Sequence, residues 1–235
     1  MRSVLDKLIA WVGILLAVVL LAAGGLLTWA NQFIGDQVKE QFGNQEITMP
    51  SGGAIDALPN KADQDALRQF AKDGKNKLDN GPEAKAFADH YILAHMRESG
   101  VELLAQVKDA GITEIPGANG APATPMPTEM NYSNAGKVAG AVTAAADAAT
   151  QAGNTAEAQK LTDLAGEIGA ARTDTFLTGN TLRGLLLYGY AFATMGTIAG
   201  IAAIGAYIGG LVMLVLGILG FWHSGRTKPD GSLKS

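Results

Sequence analysis

The uncharged run from Gly184 to Trp222, 39 residues long, constrains this chain more than any other feature. A helix needs only about 20 apolar residues to cross a bilayer. With Trp222 as an interfacial anchor, a span over 202–222 accounts for the end of the run. Residues 184–201 then project beyond the lipid while remaining apolar, so they are expected to be covered by protein. The expected arrangement is one helix that leaves the membrane and packs on an external domain. A tight hairpin of two short spans is the alternative.

A second apolar segment lies at 8–30, "LIAWVGILLAVVLLAAGGLLTWA", with no charge in 23 residues. Trp11 and Trp29 are separated by roughly 27 Å along a helix, which suits anchors at the two interfaces. A cleaved signal peptide is the competing reading, with "TWA" as its small-residue site. The apolar run is long for a signal core, which favours an uncleaved anchor. Phe33, Ile34, Val38 and Phe42 recur at helical spacing, so the helix is expected to continue to about Phe42 and stop at Gly43-Asn44.

Charge sets the expected orientation. The flanks at 1–7 and 223–235 hold Arg2, Lys7, Arg226, Lys228 and Lys234 against Asp6 and Asp230. The loop between the spans holds 13 basic and 20 acidic residues. Short basic flanks stay in the cytoplasm. Both termini are therefore expected to be cytoplasmic, in the cell membrane, with 31–183 outside.

The loop reads as helical. "DNGPEAKAFADHYILAHMRESG" is a helix capped by Asp79 or Asn80, with Phe87, Tyr91, Ala94, Ile92 and Met96 on its apolar side. Gly100 is expected to end it, and "VELLAQVKDAG" forms a further short helix stopping near Gly111. Four prolines between Pro116 and Pro127 oppose regular structure, so 111–130 is expected to be a flexible linker. "EITM" is a candidate short strand. "SNAGKVAGAVTAAADAAT" and "NTAEAQKLTDLAGEIGA" read as two helices turning at Gln151–Gly153, the second burying Leu161, Leu164 and Ile168. The fold class is an all-α membrane protein, two transmembrane helices extending into an extracytoplasmic helical bundle.

Small residues suggest how the spans pair. Gly196 and Gly200 are four apart, as are Gly205 and Gly209, and such spacing admits a close helix backbone. Gly13 and Ala17 repeat the pattern more weakly. The partner is either the other helix or a second chain. Glycine richness is also ordinary in membrane helices.

Chemical motifs are scarce. There is no cysteine, which excludes disulfides, thiolate nucleophiles and iron–sulfur ligation. His90 and His95 stand about 140° apart on a helix, poor geometry for one metal. Phosphate-cradling, dinucleotide and nucleophile-elbow motifs are missing, and the spans lack ionisable residues for an ion relay. Asp63 and Asp65 read as solvated charge. No catalytic, cofactor or metal site is assigned. A net charge of -4 gives no reason to expect nucleic acid. Arg183 is the one charged residue singled out, with Asp174 as a candidate partner. Tyr188, Tyr190, Phe192 and Met195 form a candidate interface or groove.

Three stretches carry a family resemblance: "FIGDQVKEQFGNQEITMP", "AKAFADHYILAHM" and "TLRGLLLYGYAFATMGTIAG". With these blocks in this order, the chain resembles a family of uncharacterised actinobacterial membrane proteins. The resemblance implies two spans around an extracytoplasmic domain. Some members of that family are automatically labelled ring-opening dioxygenases, whose iron takes two histidines and a carboxylate. His90, His95 and His223 offer no such triad. Two functions follow. One is a non-catalytic accessory or structural component of an envelope membrane complex or homo-oligomer. The other is a small-molecule or lipid-binding module that assists transport.

Overall fold

The computed structural model describes residues 2–71 and 76–226. The tail charges Lys228, Asp230 and Lys234 lie outside the described residues. The fold is all-α, with two long apolar helices flanking a mostly helical bundle. The chain divides into two units, one holding α1 to Gln41 and α8 from Ala191, the other running from Phe42 to Tyr190.

Helix α1, Arg2–Gly43, is 42 residues long, or about 63 Å. Its end matches the expected stop at Gly43. Helix α8, Thr178–Arg226, is 49 residues long, or about 74 Å. It runs unbroken, which removes the hairpin alternative. No proline falls within it, and its glycines are too few per turn to break a helix of leucine, isoleucine and alanine. Both helices are long and apolar enough to cross a membrane, and only 17% of the most apolar window of each is buried. A core helix of a soluble domain is mostly covered, whereas here the side chains point outward. Val12, Leu15, Val19, Ile204, Leu211 and Val215 are among those exposed.

In the first unit α1 and α8 run antiparallel along a seam of small residues. Ala10, Ala17 and Gly24 are buried on α1. Gly196, Ala203, Gly210, Gly217 and Ser224 are buried on α8. Each set repeats every seven residues. That spacing keeps one stripe facing its partner when helices wind left-handedly at 3.5 residues per turn. Close approach is tight: a Cβ on Gly217 would stand 2.7 Å from Ile14 Cγ1, and one on Gly210 would stand 2.9 Å from Leu21 Cγ. Polar contacts add to the seam. The Asn31 amide donates to the Gly196 carbonyl at 2.7 Å. The Thr28 hydroxyl donates back to the Gly24 carbonyl and also contacts the Tyr207 hydroxyl at 3.1 Å.

The second unit begins with short pieces. Thr48 forms an isolated bridge with Lys77, which is what becomes of the "EITM" strand. Helices α2, Gly53–Asp56, and α3, Lys61–Arg68, follow, and Asn60 caps α3 through the Ala62 amide. Helix α4, Gly81–Ala86, is capped by Asn80, whose side chain accepts from the Glu83 amide. The buried Glu83 carboxylate in turn accepts from Asn76 and the Asp79 amide. A π-helical turn, Phe87–Ile92, leads into α5, Leu93–Asp109.

Gly100 does not end α5, contrary to expectation. A Cβ there would come 3.1 Å from the Met130 carbonyl, so this glycine serves close packing rather than termination. The stop falls at Gly111, whose φ of +77 suits a residue without a side chain. The stretch 111–130 is also corrected: it is not structureless. Strand β1, Glu114–Ile115, pairs antiparallel with β2, Thr124–Pro125, around a short 3-10 turn at Ala118–Gly120. Ile112, Ile115 and Met126 pack on the core, and that burial holds a proline-rich segment in place.

Helices α6, Tyr132–Gln151, and α7, Thr155–Ala171, form the expected hairpin. Gly153 turns it with φ +77. Asn131 and Asn134 make a reciprocal cap at the start of α6. Met96, Leu103, Val107, Val138, Val142, Leu161, Leu164, Ile168 and Phe176 make the core. A second π turn, Arg172–Leu177, leads into α8.

Candidate functional site

The polar centre of the second unit is built on the first π turn. An α-helix bonds each amide to the carbonyl four residues back, but here the Leu93 amide reaches Ala88. The Ala88 carbonyl also accepts from Arg183 Nε at 3.0 Å. Arg183 Nη2 then reaches Asp89 Oδ1 at 3.1 Å, while Lys85 Nζ meets Asp89 Oδ2 at 2.6 Å. Arg183 therefore pairs with Asp89 rather than with Asp174, which accepts instead from the Thr173 hydroxyl. The start of α8 is thereby fastened to the π turn. Burial opposes ionisation of Asp89, but hydrogen bonds from Lys85 and Arg183, with their charges, outweigh it. The carboxyl is held below the ordinary carboxylate range.

The next residue of the turn makes a second pair. His90 Nδ1 lies 2.7 Å from Asp63 Oδ1. Asp63 is 8% exposed, so it is not the solvated charge its sequence neighbourhood suggests. A carboxylate only accepts, so Nδ1 carries the hydrogen that Asp63 holds. His90 lines a shallow recess of about 280 Å³ with Gln69, Phe70, Pro82, Lys85 and Tyr190. Lys85 Nζ stands 5.8 Å from the centre of the Tyr190 ring. A lysine and two aromatic rings beside an oriented imidazole can hold a small planar anion by charge and stacking. His95 is not part of this; its Nδ1 faces the Tyr91 carbonyl of its own helix at 2.9 Å. No group of three metal-ligating side chains occurs among the described residues.

The other candidate residues scatter. Of the aromatic set, Tyr190 alone lines the recess. Tyr188, Phe192 and Met195 are 71%, 56% and 54% exposed. One face of 184–201 is packed: Leu186 is buried, and Gly189 in the second unit lies against the Phe42 ring. In the first unit Ile34 lies over Gly196 and Asn31 over Gly200. The covering surface at Gly189, Gly196 and Gly200 is α1, a single helix, so the opposite face stays bare. Of the glycine pairs, Gly209 touches Leu20 while Gly205 faces open space. The four-residue spacing thus holds for Gly196 and Gly200, which both admit α1 closely, and fails at Gly205. Along the whole seam the buried positions repeat every seven residues, and that signal was present in the sequence.

No family model, curated protein or solved structure matches this chain.

Proposed function

We propose that the chain is a non-catalytic integral membrane protein, an accessory or structural component of a cell-envelope complex. On this reading α1 and α8 cross the bilayer at 8–30 and 202–222, with both termini cytoplasmic. Kinship with the actinobacterial two-span family is part of the proposal and rests on the three sequence blocks. The observation that carries the reading is the bare apolar stripe on α8. Phe192, Met195 and Ile198 follow one another a turn apart and are more than half exposed. They precede the 202–222 span, so lipid does not cover them, and a protein partner is what their exposure calls for.

The test is purification of the full chain in mild detergent, followed by mass spectrometry of what accompanies it. A reproducible partner or stable oligomer is expected, and Phe192→Asp with Met195→Asp should abolish it. A strictly monomeric protein with no recurring partner would overturn the proposal. Tyr190, Lys85 and His90 favour a second reading, in which the second unit binds a small planar anion. Native mass spectrometry with benzoate as probe separates the two. Adducts lost in Lys85→Ala would favour binding, and their absence would leave the accessory role.

A further inference from the structure

The second unit leaves a gap beside its strand pair. A groove of about 440 Å³ lies between the segment joining β1 to β2 and helix α6. That volume falls within the range of small-molecule sites. Ile115, Gly117, Ala118 and Ala121 line it on one side, and Gly140, Ala141 and Ala144 on the other. Apart from Ile115, no apolar lining residue is larger than a proline, so the chain leaves the space unfilled. Gly140 sharpens the point. It sits inside a 20-residue helix, where glycine is less favourable than alanine. A Cβ there would meet nothing within 4 Å, so the packing of this chain does not require a glycine.

We propose that this groove binds a straight apolar chain ending in a carboxylate, a medium-chain fatty acid. Charge selects the head. Lys137 is the one charged residue of the lining. It has no ion pair or hydrogen bond among the described residues. Its neighbours one helical turn away, Ser133, Asn134, Gly140 and Ala141, include no acid. Glu114 alternates with Ile115 along β1 and does not line the groove. A carboxylate at Lys137 therefore has no protein acid to displace. The Thr124 hydroxyl lines the same groove and offers a donor. The rest of the lining is apolar, which suits a hydrocarbon tail and opposes a second charge. Length follows from α6. Lys137 and Ala144 stand seven residues apart, about 10 Å along the helix. A zigzag of about eight carbons covers that distance at about 1.5 Å per bond. The groove shares no residue with the recess at His90, and the proposal needs neither that recess nor the membrane reading.

The experiment is hydrogen exchange, read peptide by peptide, on the full chain in phosphatidylcholine nanodiscs. The probes are octanoate, octanol and octylamine at equal free concentration. Octanoate should slow exchange in the strand pair and in the middle of α6, and the effect should saturate. Its half-saturation should lie about threefold to fivefold below that of octanol, the scale of one exposed charge pair, with octylamine weakest. Lys137→Gln should bring octanoate and octanol level, and Lys137→Arg should restore the difference. Gly140→Leu should abolish protection by filling the groove. Ala144→Leu, at an exposed helix position, should do the same, and circular dichroism confirms that each variant folds. Gly166→Leu, which points into open space on α7, should leave protection intact. Equal protection by octanoate and octylamine would overturn the proposal, as would protection that survives both filling variants. Absence of protection by all three probes would overturn it as well.

Discussion

Arg183 shows how one side chain can hold two elements together. Its guanidinium bonds both a π-turn carbonyl and the Asp89 carboxylate, and it is only one-fifth exposed. Arg183→Ala leaves Lys85 as the one remaining cation on Asp89, and should cost the second unit about 1–3 kcal/mol. Arg183→Lys should recover little, because an ammonium cannot span both acceptors as a planar fork does. Thermal unfolding followed by circular dichroism checks both, and an unchanged melting temperature for Arg183→Ala would count against the role. The same contact makes stability acid-sensitive. Asp89 is held below its unfolded value, near 3.9, so its contribution is fully present above that value and is lost as pH falls through the lower folded one. The melting temperature should therefore drop more steeply below about pH 4 in the native chain than in Asp89→Asn. Phe192 behaves differently. It is more than half exposed, so Phe192→Asp buries no charge and should leave helicity and protease resistance unchanged. Loss of a co-purifying partner is its expected effect.

The helix pair invites a direct geometric check, because the native chain has no cysteine. A Cβ on Gly220 would lie 3.2 Å from Ala10 Cβ, close to the roughly 3.5–4.5 Å that a disulfide spans. Ala10→Cys with Gly220→Cys should cross-link within one chain on mild oxidation. Ala10→Cys with Gly205→Cys should not, since Gly205 faces away into open space. Equal cross-linking of both pairs would refute the antiparallel register. Much at this scale was legible beforehand. Capping at Asn80, the turn at Gly153 and the stop at Gly43 are local signals, and local physics decides them. The seam was legible in part: Gly196 and Gly200 meet α1 closely, but the repeat that runs its full length is seven residues, which the four-residue pairs do not show. Gly100 misled because whether a glycine ends a helix or admits a neighbour depends on Met130, thirty residues away. The strand pair at Glu114 and Thr124 needs the core beneath Ile115 and Met126, which no local pattern announces. Asp63 and His90 are 27 residues apart, and only the packing of α3 on the π turn brings them together.

For the whole molecule the outward apolar faces of α1 and α8 set the argument. A pair of helices about 63 and 74 Å long exceeds a hydrocarbon core of about 30 Å by a factor of two. Both helices therefore carry sequence that lies outside lipid wherever the membrane sits. Placing the spans at 8–30 and 202–222 puts Trp11 and Trp222 near one interface and Trp29 near the other. The ring of Trp11 meets Phe221 edge-on at 5.4 Å, as expected of aromatic residues at a shared depth. On the proposed topology the basic flanks set the direction, with Arg2, Lys7 and Arg226 on the cytoplasmic side. Single cysteines at Ser3, Ser133 and Ser232 test the whole arrangement. In intact cells a membrane-impermeant thiol reagent should label the Ser133 site alone, and all three after the membrane is opened. Label at Ser3 and Ser232 with none at Ser133 would invert the topology. Label at Ser232 together with Ser133 would mean that α8, although unbroken, does not cross. Each outcome also bears on the bare stripe at Phe192, Met195 and Ile198. It precedes the lipid-embedded part of α8 only if that helix crosses at 202–222, and only then does its exposure require a protein to cover it.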